Sequence, residues 1–108
     1  MEYKVKEFKE LILAENKRQN LVSRRDPERE VDKHIQDSLA IFDIFSLSGK
    51  RLIDIGSGGG FPGLVLAILS HDTKITLVEA DKKKGEFLLQ VKRALNLENA
   101  EILIQRAE

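Results

Sequence analysis

The stretch Leu52-Ile53-Asp54-Ile55-Gly56-Ser57-Gly58-Gly59-Gly60-Phe61-Pro62-Gly63 decides the fold of this chain. An apolar run carrying one carboxylate passes into a glycine loop and emerges at a proline. The run reads as a buried strand. Four glycines within residues 56–60 let backbone amides approach a ligand that side chains would exclude. Proline suits a first helical turn, where its missing N–H costs nothing. Strand, glycine loop and helix in that order are how doubly wound α/β sheets hold nucleotide-like cofactors.

Glycine spacing alone leaves two cofactors open. Gly58, Gly60 and Gly63 fit the dinucleotide pattern G-x-G-x-x-G, and Glu79 follows Gly58 by 21 residues, as a ribose-binding acid would. Gly56, Gly58 and Gly60 also form G-x-G-x-G directly after the strand. Asp54 favours the second register. A pyrophosphate beside it would meet a like charge, whereas the ammonium and sulfonium of S-adenosylmethionine would be stabilised there. The methyl donor is therefore preferred, with a dinucleotide as the alternative. Ile75-Thr76-Leu77-Val78 forms a second short strand ending at Glu79, a carboxylate placed to accept ribose hydroxyls.

Working outward, the apolar period sets the remaining elements. Phe8, Leu11, Ile12 and Glu15 follow helical spacing, predicting a helix over residues 4–19. Asp26-Pro27-Glu28 is a helix start, with Asp26 as N-cap and Pro27 at the first helical position. That helix is expected to run to Ser46 and to bury Val31, Ile35, Leu39, Phe42 and Phe45. From Arg51 the pattern becomes βαβαβ: strands at 51–55, 74–79 and 100–105, helices at 62–70 and 82–96. Asp81 is expected to cap the last helix, with Phe87, Leu88, Val91, Ala94 and Leu95 facing the sheet. Such alternation implies a parallel sheet with right-handed crossovers. Residues 1–50 are read as a helical extension and 51–108 as the first half of a cofactor-binding domain. Three strands in the order 3-2-1 make half of a doubly wound sheet and leave an apolar strand at an open edge. The expectation is the N-terminal part of a longer polypeptide; pairing of exposed edges in a dimer is the alternative.

Composition narrows the class. The 108 residues include 18 acids and 18 bases, giving zero net charge and no global basic field for nucleic acid. Cysteine is absent, which excludes disulfides, thiolate metal sites and a cysteine nucleophile, and is compatible with the cytoplasm. Two histidines 37 residues apart make a poor metal-ligand set. No apolar run approaches the roughly 18 residues of a membrane span. Lys17, Arg18, Arg24 and Arg25 form an acid-free basic cluster. It is either a phosphate contact or a solvated helix end. His34 and Asp37, three apart, share a helix face and are either a pocket-facing pair or a local helix pair.

The residues resemble one family. His34-Ile35-Gln36-Asp37-Ser38-Leu39, the run Asp54 to Gly63 with its Phe61-Pro62-Gly63, Glu79 followed by Ala80-Asp81-Lys82-Lys83-Lys84, and Arg106-Ala107-Glu108 are similar to segments of the bacterial RsmG/GidB family. These are guanine-N7 methyltransferases of small-subunit ribosomal RNA. The chain departs from the family in carrying Glu79 where Asp is usual. The resemblance implies an α/β, Rossmann-like class I methyltransferase, here its first three parallel strands with an N-terminal two-helix extension. It implies S-adenosylmethionine as donor and 16S rRNA in the small ribosomal subunit as partner, with no membrane. Asp54, Gly56, Ser57, Gly58, Gly60, Phe61 and Glu79 would then line the donor, with Ala107 and Glu108 at the adenine. Arg24, Arg25 and His34 would face the RNA. No catalytic acid–base pair is expected, because guanine N7 has a lone pair and no proton to remove. The alternatives are another methyl acceptor, or cofactor or partner binding without turnover.

Overall fold

The structure is a computed structural model, and it describes residues 2–56 and 58–106. Two helices, α1 (Glu2–Glu15) and α2 (Pro27–Ile44), precede β1 (Arg51–Ile55), α3 (Gly63–Leu69), β2 (Lys74–Glu79), α4 (Lys82–Leu95) and β3 (Ala100–Ile104). The three strands form one parallel sheet in the order β1-β2-β3, with Leu52 opposite Ile75 and Asp54 opposite Leu77. On the other side of β2, Ile75 lies opposite Ala100 and Glu79 opposite Ile104.

Residues paired across a parallel ladder share a face. Leu52, Asp54, Ile75, Leu77, Ala100 and Ile104 therefore point one way, and the helices lie there. A Cβ on Gly63 of α3 would come within 2.8 Å of Leu77, and one on Gly85 of α4 within 2.5 Å of Ile104. These two glycines let both helices seat directly on the strands. The opposite face is open at β1, where Ile53 and Ile55 are 69% and 65% exposed. Phe8, Ile12, Val31 and Ile35 of the first two helices join Leu64, Ile68, Leu77 and Leu88 in a single core. Each such side chain, fully buried, contributes about 1.5–3 kcal/mol.

Capping residues act as their chemistry dictates. The Asp26 side chain accepts from the Arg29 N–H at 3.4 Å, and Pro27 occupies the first turn of α2. Asp81 accepts from the N–H groups of Lys83 and Lys84 at 2.9 and 3.3 Å. Asn99 ties three carbonyls together, donating to Ala67, Ser70 and Thr73 at 2.9–3.0 Å. Beside it, Asp72 accepts from the hydroxyls of Ser48 and Ser70, which hold its carboxyl below the usual value.

Several sequence expectations need correction. The first helix ends at Glu15 rather than 19: the Asn16 N–H still donates to the Ile12 carbonyl at 2.9 Å, and the chain then passes into turns. The buried side chain of Asn16 accepts the N–H groups of Leu21 and Val22 at 2.8 and 3.0 Å. The second helix stops at Ile44, with Phe45 extended beyond it, and β3 ends at Ile104 although the Gln105 N–H still donates to the Glu79 carbonyl at 2.9 Å. Leu39 and Phe45 are not buried: they are 39% and 59% exposed, and Ser38 takes the core position, its hydroxyl donating to the His34 carbonyl at 2.8 Å. Ala94 is exposed on α4.

Candidate donor site and its flanking groove

The glycine loop sits at the carboxyl ends of β1 and β2. The Gly56 N–H donates to the Val78 carbonyl at 2.8 Å, carrying the ladder one residue past Ile55. Gly56, Gly58 and Gly60 then take φ values of +74°, +56° and +96°, the left-handed region that costs other residues about 1–2 kcal/mol. A Cβ on Gly56 or Gly58 would meet nothing within 4 Å, so backbone conformation, not crowding, requires glycine there.

Glu79 closes the loop from β2. It is 6% exposed, its Oε1 accepts from the Gly58 N–H at 2.8 Å and its Oε2 from the Asp81 N–H at 2.9 Å. One backbone donor on each oxygen fixes the carboxylate. An ionised carboxylate has about four acceptor positions, so about two remain for a ligand. Vicinal ribose hydroxyls need two acceptors. The residues present therefore fit an adenosyl donor.

Asp54 has a structural partner as well as a charge. Its Oδ2 accepts from the Gly63 N–H at 2.9 Å, placing a carboxylate at the start of α3. An anion there satisfies an N–H that the helix itself leaves without a partner. The sequence placed Asp54 toward the loop; the structure shows it also anchors the helix after the loop.

Phe61 is held between two other rings. Its centroid lies 5.4 Å from that of Phe8, edge to face, and 5.0 Å from His34 at an interplanar angle of 26°. The Phe61–Pro62 peptide is cis. Gly59 completes the attachment to the first helix: a Cβ there would come within 2.8 Å of Ile12 and 3.6 Å of Leu21. The loop is thus gripped by α1, α2 and β2 at once. Asn16, which shapes the Leu21–Val22 segment under Gly59, is the residue that the sequence reading missed. The signal was present, because position 16 continues the row Phe8, Ile12 by four residues.

His34 faces Glu30 at 3.5 Å and the Phe61 ring, so the expected pairing with Asp37 gives way to partners on the other side. Arg24 and Arg25 are exposed in the segment before α2. Ser57, Ala107 and Glu108 lie outside the described residues. Among the described residues no cluster of His, Asp or Glu could hold a metal ion, and no helix is long and apolar enough to cross a membrane. A cavity of about 390 Å³ lies beside the β1 edge, lined by Asp54, Pro62 and Gly63 together with Ile41, Phe45 and Leu47.

Comparison with known proteins gives the family. A family model described as GidB, rRNA small subunit methyltransferase G, matches residues 1–108. The chain is 49% identical over its whole length to ribosomal RNA small subunit methyltransferase G of Syntrophomonas wolfei, covering 50% of that protein. It is 48% identical to the protein of the same name from Sorangium cellulosum over 90% of this chain and 41% of that one. For the Fusobacterium nucleatum protein the identity is 42%, over 94% and 44%. The chain thus spans about half the length of the curated relatives it matches. A solved Pyrococcus horikoshii chain, provisionally called an RNA methyltransferase, superposes with a TM-score of 0.54 over 93% of this chain and 51% of its own, at 21% identity. That likeness shows the incomplete Rossmann-like fold. With the family match extending over all 108 residues, the chain belongs to the GidB family of small-subunit rRNA methyltransferases.

Proposed function

We propose that this chain supplies the donor-binding part of an S-adenosylmethionine-dependent methyltransferase acting on guanine N7 of 16S rRNA in the cytoplasm. The observation that carries the reading is Glu79: a buried carboxylate at the end of β2, fixed by Gly58 and Asp81, facing a glycine loop with left-handed turns. In this reading Glu79 accepts the ribose hydroxyls. Gly56, Ser57, Gly58 and Gly60 present backbone to the donor, Phe61 borders the loop, and Ala107 and Glu108 flank the adenine. Asp54 adds negative charge near a cationic ligand while holding Gly63. Residues 51–108 form the donor side and residues 1–50 a helical extension on the RNA side.

The donor supplies an electrophilic methyl group when bound. Guanine N7 attacks through a lone pair and loses no proton. The protein's task is then to place N7 in line behind that methyl, which is catalysis by proximity and orientation. Charge passes from sulfonium to purine, so no acid–base pair is required. Calorimetric titration with S-adenosylhomocysteine, with NAD as control, tests the reading. Selective binding of the adenosyl ligand is expected; selective binding of NAD, or no binding of either by a folded chain, refutes it.

A further inference from the structure

Residues 24–33 hold four bases (Arg24, Arg25, Arg29 and Lys33) and four acids (Asp26, Glu28, Glu30 and Asp32), so this segment has no net charge in sequence. The fold draws two of the acids away from the bases. Glu28 and Asp32 turn toward α1, where Lys9 Nζ meets them at 3.3 and 2.8 Å. Glu30 accepts the Ser23 N–H at 2.5 Å and faces His34, and Asp26 is used as the cap of α2. All four carboxylates thus have partners within the protein. Arg25, Arg29 and Lys33 are exposed and line one open groove of about 680 Å³ with Ser23 and His34. Among the described residues none of these three cations is in an ion pair. Asp26 and Glu30 also line the groove, each already engaged.

The groove has a direction. Arg29 and Lys33, four apart on α2, are separated by about 6 Å along its axis, the scale of the spacing between successive phosphates on a nucleic-acid strand, and Arg25 lies just before the helix. Its far end is His34, whose ring stacks on Phe61 of the glycine loop. A strand lying in the groove would therefore be led to the donor site. We propose that Arg25, Arg29 and Lys33 form a track for the RNA backbone, contacting successive phosphates and delivering the acceptor strand past His34 to the glycine loop. The proposal rests on the RNA-methyltransferase reading for the identity of the strand and adds the surface that binds it. Phosphate contacts of this kind position a strand without reading its sequence.

The test measures binding of a short fluorescein-labelled single-stranded RNA by anisotropy over a range of salt concentrations. It compares the unaltered chain with the triple variant Arg25→Gln, Arg29→Gln, Lys33→Gln. A second triple variant, Lys50→Gln, Lys74→Gln, Arg93→Gln, removes the same charge outside the groove. Each phosphate contact on a single strand contributes about 0.7 to the slope of log affinity against log salt. The groove variant is expected to lose about 2 from that slope and about a hundredfold in affinity near 0.1 M salt. The control should keep most of both. Equal losses in the two variants, or no salt-dependent RNA binding by the unaltered chain, overturn the track. Each protein is also titrated with S-adenosylhomocysteine, whose affinity should be the same in all three. Loss of RNA binding without any adenosyl binding would sustain the track and refute the donor reading; adenosyl binding without RNA binding would do the reverse.

Discussion

Glu79→Gln is the substitution that most sharply tests the site. The glutamate meets the Gly58 N–H at 2.8 Å and the Asp81 N–H at 2.9 Å, and it is 6% exposed. Glutamine keeps the shape and one oxygen. The other oxygen becomes an NH₂ group that must face a backbone donor. One charge-assisted hydrogen bond is lost and the other becomes a neutral one. Hydrogen bonds to charged groups contribute about 1.5–3 kcal/mol, so the variant should be less stable by about 2 kcal/mol. That is a large share of a total near 5–15 kcal/mol. The same change halves the acceptors facing the ribose, and the affinity for S-adenosylhomocysteine should fall about 10- to 100-fold. The chain has no tryptophan, so urea unfolding is followed by far-ultraviolet circular dichroism. Donor affinity comes from calorimetry below the transition. An unchanged urea midpoint would mean that Glu79 does not hold the loop. An unchanged adenosyl affinity in a folded variant would mean that it does not face the ribose.

Three further substitutions probe the frame around the loop. Asn16→Ala leaves the Leu21 and Val22 N–H groups without their acceptor. It should destabilise by about 2–4 kcal/mol, read as a lower urea midpoint; a change below about 0.5 kcal/mol would show that water replaces the side chain. Gly63→Ala forces a Cβ to 2.6 Å from Asp54 Oδ2 and 2.8 Å from Leu77. Thermal unfolding should report an overpacking cost of about 1–3 kcal/mol, and an unshifted transition would count against direct seating of α3 on the sheet. Asp72 has its carboxyl held below 3.8, first by the Ser48 hydroxyl and then by that of Ser70. A group with a lowered folded value adds stability that is fully present above its unfolded value. That stability disappears as pH falls through the folded one. Urea midpoints of the unaltered chain should therefore fall relative to those of Asp72→Asn below about pH 3.8, and parallel curves would remove Asp72 from the acid response.

The sheet, the glycine loop and both aspartate caps were legible in the sequence because each rests on local chemistry. Alternation of apolar runs, glycine at left-handed φ and a side-chain acceptor at a helix start need no distant partner. The misread features are tertiary. Leu39 and Phe45 fit a helical stripe by spacing, but that end of α2 lies along the uncovered edge of β1. Asn16 looked like one more helical residue, because its value lies in two N–H groups five and six residues away. The basic groove was legible only at Arg25 and His34, and Arg29 and Lys33 were missed for a different reason. Its cations alternate with acids in the chain, and only Lys9, from another helix, draws two of those acids aside.

The strand order β1-β2-β3 has a consequence for where a ligand can lie. The chain winds steadily outward from β1 to β3, always in one direction across the sheet. A strand added beside the open edge of β1 would have to wind the opposite way. The reversal would fall at β1, where the connections above and below the sheet diverge and leave a crevice at the strand's carboxyl end. Gly56 to Gly60 occupy that position. The loop thus stands where the topology of the sheet, independently of any side chain, opens space for a nucleotide.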